Sequence, residues 1–231
     1  MLSIALLLVI SYLIGAIPFG YLVVLLVKGI DIRQVGSGNI GATNVGRVIG
    51  WKWFPAVFLL DFLKGALPVW LVRWSIIPID LSSTGWPLDD IAAVVGLAAL
   101  VGHMWPIYIG FKGGKGVATG AGVLSLLLPV PTAVAVAAFV LVLLLFRYVS
   151  LGAIIAAIVL VIARFMEVRE LAFNSENRTL TIFCIVGAGL VLLRHRSNMF
   201  RLWQGNEKRI GERTASSGMA HEPASSPPPT P

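Results

Sequence analysis

Cysteine is almost missing from this chain of 231 residues. Cys184 stands alone inside an apolar run, so neither an intramolecular disulfide nor a cysteine-based metal site can form. Charge is scarce too: Asp, Glu, Lys and Arg make up 13% of the sequence, where soluble chains carry about a quarter. Carboxylates are the scarcer sign, 11 against 18 Lys and Arg, for a net charge of +7. These shortages exclude a secreted disulfide scaffold, a disordered regulator and an ordinary soluble enzyme. What abounds is hydrocarbon, with 57% hydrophobic residues and a mean hydropathy of +0.88. A basic chain this rich in Leu, Val and Ala points to a lipid bilayer and not to nucleic acid. The fold class expected is all-α, a polytopic membrane protein.

A spanning helix needs about 20 apolar residues. Runs that qualify, or nearly so, are Leu2–Val27, Trp53–Val72, Ile91–Ile109, Val117–Leu128, Pro131–Phe146, Ser150–Ala163 and Thr179–Leu193. No basic residue precedes the first run and no small-residue cleavage site follows it, so it reads as a retained span. The reading is about seven transmembrane helices, with Val117–Leu128 too short unless the residues before it are helical and buried; five or six is the alternative count. Seven spans place Lys28, Arg33, Arg47, Lys52, Lys112, Lys115, Arg147, Arg194, Arg196, Arg201, Lys208, Arg209 and Arg213 on one side. Only Arg73, Arg164, Arg169 and Arg178 fall on the other. That asymmetry predicts an outside N-terminus and a cytoplasmic C-terminus. Residues 73–90, with Asp80, Asp89 and Asp90, and residues 164–178 read as polar outer loops. Residues 1–213 form one transmembrane domain, and 214–231, rich in Ser and Pro, cannot bury a core and read as a disordered tail.

Three polar clusters interrupt the apolar pattern. The first, Gly36-Ser37-Gly38-Asn39-Ile40-Gly41-Ala42-Thr43-Asn44-Val45-Gly46-Arg47, reads as a connecting loop or as a glycine-rich anion cradle. Its asparagines, serine and arginine favour the cradle. The second runs from Gly102-His103-Met104-Trp105-Pro106 to Phe111-Lys112-Gly113-Gly114-Lys115-Gly116, placing glycines and a lysine before a helix, where phosphate binds well. It is no P-loop, because Gly116 follows Lys115 where Ser or Thr is required; Lys112 and Lys115 also read as plain topogenic charges. The third, Arg194-His195-Arg196-Ser197-Asn198-Met199-Phe200-Arg201-Leu202 followed by Gly205-Asn206-Glu207, resembles a polybasic segment touching anionic headgroups. That explanation covers the arginines but not His195 and Asn198, which share a helix face. The predicted topology puts all three clusters on the cytoplasmic side, where their combined content is an anion site.

Asp61 and Lys64 lie one turn apart inside the second span and read as a structural ion pair. His103 reads as a hydrogen-bonded structural histidine, and Cys184 as core or lipid-facing filler. The H-x₄-D pair of soluble-type glycerolipid acyltransferases is absent: Tyr108 follows His103, and Phe200 follows His195, at that spacing. No internal repeat is apparent, which argues against an inverted-repeat transporter. A transporter of organic phosphates and a lipid-binding structural protein are the competing readings.

In GSGNIGATNVGR (36–47), GHMWPIYIGFKGGKG (102–116) and HRSNMFRLWQGNE (195–207), the chain resembles the bacterial acyl-phosphate:glycerol-3-phosphate acyltransferase family. The resemblance covers the chain through about Arg213. It implies a seven-helix inner-membrane enzyme that makes 1-acyl-glycerol-3-phosphate from a fatty acyl phosphate and glycerol-3-phosphate, without cofactor or metal. By motif position it implies Ser37, Arg47, Lys115, His195 and Asn198 as catalytic residues. Asn39, Thr43, Asn44, Lys112, Gly113, Gly114 and Gly116 would bind substrate, and Glu207, Gly205, Asp61 and Lys64 would be structural. Lys112 is a credible substitute for Lys115. Two chemistries follow: direct attack, with a donor phosphate oxygen taking the proton, or an acyl-Ser37 intermediate with His195 as base.

Overall fold

The computed structural model describes residues 3–76 and 85–211. Asp80, Arg213 and the tail from 214 onward lie outside the described residues. The described chain is helical: α1 (Ile4–Ala16), α2 (Phe19–Lys28), α3 (Ala42–Ile49), α4 (Phe54–Arg73), α5 (Leu88–Met104), α6 (Val117–Leu127), α7 (Pro129–Phe146), α8 (Val149–Val168), α9 (Arg178–Arg194) and α10 (Arg196–Trp203). Among the described residues, five segments are long and apolar enough to cross a bilayer, namely Ile4–Lys28, Trp51–Arg73, Leu88–Ile109, Pro129–Phe146 and Val149–Leu171. The pair α9 and α10, bent by 55°, makes a sixth if it is counted as one span. The seventh expected segment is α6. At 11 residues and about 1.5 Å per residue, it falls well short of a hydrocarbon core. The loop before α6 is not an α-helix, although Gly113, Gly114 and Gly116 in it are buried. Irregular backbone at such depth is tolerated where protein covers it.

The first span is broken at Pro18, which lacks an amide hydrogen and ends α1. At the break the Ile17 carbonyl accepts from the Phe19 amide at 3.1 Å, and Lys64 Nζ donates to it as well at 2.7 Å. The same ammonium lies 2.7 Å from Asp61 Oδ1, so the expected intramembrane ion pair forms, almost fully buried. Its sequence spacing was legible; its second duty, capping a broken helix, was not.

α5 is the central helix, packed by α1, α4, α6 and α9. Small residues let the backbones touch. A Cβ on Gly15 would lie 2.0 Å from the Ala99 carbonyl oxygen, and one on Gly102 would lie 2.2 Å from that of Tyr12. In a bilayer, such close packing replaces the missing hydrophobic drive between helices. Gly102→Ala is therefore expected to destabilise the α1–α5 contact by about 1–3 kcal/mol, read as a lower Tm in detergent micelles. α7 is the outer helix, with Leu141, Leu144, Leu145 and Phe146 exposed.

Two sequence expectations change. The outer loop set at 164–178 begins later, because α8 continues to Val168 and buries Arg164 against Thr181, Asn177 and Glu167. The first cluster is loop only to Gly41; Thr43, Asn44 and Arg47 stand on α3.

Candidate active site

The glycine loop before α3 is built around a buried asparagine. Gly36 and Gly38 adopt φ of +65° and +70°, a left-handed backbone that costs glycine little. Asn44 Oδ1 accepts from the Ser37 amide at 2.9 Å, while its Nδ2 donates to the carbonyls of Asn39 at 2.8 Å and Val35 at 3.2 Å. Asn39 Oδ1 accepts from the Gly41 amide at 2.8 Å. Asn44 thus shapes the loop and also lines the smaller cavity, while Ser37 and Asn39 line both cavities.

The second cluster meets the third. Lys115 Nζ donates to Asn198 Oδ1, and Asn198 Nδ2 donates to Glu207 Oε1 at 2.7 Å. Ser150 Oγ donates to the same Glu207 oxygen at 2.7 Å, and Arg201 Nε donates to Oε2 at 2.7 Å. Glu207 reaches this point because Gly205, at φ +73°, turns the chain back after α10. The returning segment is then tied down: Arg47 donates to the Lys208 carbonyl at 3.1 Å, and Arg147 and Ile210 exchange two hydrogen bonds of 2.8 Å.

Arg194 grips the loop before Lys115, donating to the carbonyls of Gly114 at 3.0 Å and Gly113 at 2.8 Å. The Gly114 amide donates to the His103 carbonyl at 3.1 Å and is already engaged. Gly113 lines the larger cavity and Gly116 the smaller. Lys112 is exposed at the larger cavity, whereas Lys115 is partly buried and lines both. The two lysines are therefore not equivalent.

Burial pushes the Lys115 ammonium down to about 8; Glu207 opposes the shift, and Arg201, Arg47 and Arg194 reinforce it. His195 sits between α9 and α10. Burial, with nearby Lys115 next in weight, pushes it down to about 4, so its imidazole is neutral at pH 7. Its Nδ1 lies 2.8 Å from the Val191 carbonyl. A carbonyl only accepts, so Nδ1 carries the hydrogen and Nε2 keeps its lone pair. Burial pushes Glu207 upward, yet the hydrogen bonds from Ser150, Asn198 and Arg201 outweigh it and hold the carboxylate ionised.

Two cavities flank Lys115. The larger, about 520 Å³, is lined by Arg33, Lys112, Lys115, Arg194, Arg196 and Arg201 with Ser37, Asn39 and Ser197, and no carboxylate lines it among the described residues. The smaller, about 150 Å³, is lined by Phe54, Phe58, Phe139, Val149 and Ala153, together with the polar side chains of Thr43, Arg47, Asp61, His103, Ser150, His195, Asn198 and Glu207. They share Ser37, Asn39 and Lys115. Sequence reasoning missed Ser150, Arg33 and the three phenylalanines. Nothing in the local pattern marks a serine at the start of α8 as the partner of a carboxylate 57 residues on.

A family described as glycerol-3-phosphate acyltransferase matches residues 5–205. The glycerol-3-phosphate acyltransferase of Acholeplasma laidlawii is 40% identical over 213 residues, covering 88% of this chain and 91% of its own. That of Desulforamulus reducens is 41% identical, covering 88% and 93%. Among solved structures, the integral membrane glycerol 3-phosphate acyltransferase PlsY in its glycerol 3-phosphate form superposes with a TM-score of 0.77 at 38% identity, covering 90% of this chain and 96% of that one. Its lysophosphatidic acid form gives 0.74 at 37% identity, covering 90% and 95%. With matches of this length, and three motifs gathered around one cation-lined cavity, the chain belongs to the glycerol-3-phosphate acyltransferase family.

Proposed function

We propose that the protein transfers a fatty acyl group from an acyl phosphate to the sn-1 hydroxyl of glycerol-3-phosphate, releasing 1-acyl-glycerol-3-phosphate and phosphate. One observation carries the reading: a cation-lined cavity and an apolar cleft adjoin and share Ser37, Asn39 and Lys115. An acyl phosphate has this shape, a dianion joined to hydrocarbon through a reactive carbonyl. The relatives' names and the glycerol 3-phosphate and lysophosphatidic acid forms of the structural neighbour support the acceptor and the product.

In the reaction, the sn-1 oxygen attacks the acyl carbon, the bond from that carbon to the phosphate oxygen breaks, and the hydroxyl proton passes to a donor phosphate oxygen. Lys115 and Arg47 hold phosphate charge, and Ser37 and Asn39 orient the reacting groups at the junction of the cavities. Neutral His195 offers Nε2 to the acceptor hydroxyl, and Asn198 fixes Lys115. No external activation is required, because the mixed anhydride supplies its own leaving group. The alternative, an acyl-Ser37 intermediate, would appear in rapid-quench mass spectrometry as an acylated peptide that forms and decays at the catalytic rate.

The site belongs to the cytoplasmic face of a bacterial inner membrane on this reading. About 0.8 kcal/mol per buried CH₂ keeps the donor in the leaflet, so the carbonyl must be met at its surface. Incubating the purified protein with palmitoyl phosphate and glycerol-3-phosphate should yield lysophosphatidate and phosphate in equal amounts. No lysophosphatidate would return the chain to the transporter reading. The active ammonium of Lys115 loses its proton as pH rises through about 8. kcat/KM, which reports the free enzyme, should therefore fall above that pH, and Lys115→Arg should move the limb beyond the measurable range.

A further inference from the structure

A buried chain of titratable groups ends against the loop that carries Lys115. Lys64, pinned to the Ile17 carbonyl, pairs with Asp61. Asp61 Oδ1 in turn faces His103 Nδ1 at 3.6 Å. All three side chains are about 3% exposed or less, and His103 Nδ1 has no hydrogen-bond partner among the described residues. The opposite edge of the ring lies against Gly114. A Cβ there would lie 2.0 Å from Nε2 and 2.6 Å from Cε1. The backbone joins the same contact: the His103 carbonyl accepts from the Gly114 amide, and a Cβ on Gly113 would lie 2.3 Å from that oxygen. Arg194 closes from the other side through the Gly113 and Gly114 carbonyls.

We propose that His103, which faces Asp61, is a positioning residue for the transfer reaction: its ring seats Gly114 and thereby fixes the backbone from which Lys115 reaches Asn198. The proposal rests on the reading that Lys115 holds substrate phosphate. A buried ion pair is weak support for stability, since apolar residues of similar volume often do as well. Three charged or titratable side chains in one membrane-embedded cluster therefore call for another reason, and the neighbouring loop supplies it. A displacement of about 1 Å can cost 10²-fold in rate, and a seat made of an aromatic edge and a hydrogen bond prevents such drift.

The test is a double-mutant cycle on acyl-phosphate-dependent activity, with Tm followed in detergent. Gly114→Ala should lower kcat by about 10²-fold because its methyl group collides with the ring. His103→Ala should lower kcat by about 10-fold or more while KM for glycerol-3-phosphate moves much less. His103→Asn, which keeps a polar atom facing Asp61, should regain part of the loss. The double variant should be no slower than the worse single variant, because the collision is gone. If Gly114→Ala yields no folded protein, recovery of folded, active protein in the double variant reads out the same coupling. Losses that multiply, or a His103→Ala enzyme with kcat intact, overturn the proposal. An inactive wild type would instead overturn the acyl-phosphate reading.

Discussion

Lys115→Ala is expected to lower kcat/KM by about 10²–10³-fold, the scale seen when one preorganised donor to developing charge is removed. Lys115 lines both cavities and is partly buried, so its charge acts where water screens it least. Its ammonium is also held by Asn198 before substrate arrives, and little reorganisation remains at the moment of reaction. Lys112→Ala should cost far less, because Lys112 is exposed at the larger cavity and solvent screens its charge. Steady-state kinetics with acyl phosphate checks both. Equal losses would mean that the two lysines are interchangeable and would remove the geometric argument for Lys115.

Glu207→Leu is expected to remove activity and to destabilise the site end of the bundle. Each buried donor left unpaired costs about 1–3 kcal/mol, and the substitution strands two, Ser150 Oγ and Asn198 Nδ2. Arg201 also loses its partner, although that side chain is 37% exposed and recovers water. The activity loss follows because Asn198 would turn to seek another acceptor and release Lys115. Glu207→Gln keeps an acceptor for Ser150 and Asn198, so it should retain most of the Tm and part of the rate. Thermal unfolding of the two variants alongside the wild type separates the effects. An unchanged Tm in the leucine variant would show that Glu207 holds nothing together.

The functional expectations met the structure unevenly, and the reasons are physical. The gathering of Ser37, Lys115, His195 and Asn198 around adjoining cavities was legible, because polar groups in an apolar chain have few places to go. Asn44 was legible as polar but not as scaffold, since its three loop contacts depend on the left-handed turns at Gly36 and Gly38. Gly114 looked like a phosphate cradle, yet its amide is engaged by His103 and its carbonyl by Arg194. The count of spans followed hydropathy wherever a helix faces lipid. At α6, which has 11 residues, hydropathy alone does not decide the count, because shielding of a short helix is a property of its neighbours.

Composition and hydropathy determined by themselves that this chain is an all-helical membrane protein. The three motifs determined its family, and their residue types determined that the site is rich in cations. These properties are local: each residue's transfer free energy and charge, and the spacing along one helix, are fixed before any packing occurs. Only the tertiary structure decided that Glu207 orders Asn198 and Lys115, that Lys64 caps a broken span, and that an apolar cleft opens beside the cation-lined cavity. Those depend on contacts between residues far apart in the chain, such as Lys115 and Asn198 at 83 positions, where the geometry is set by how helices pack and not by any run of sequence.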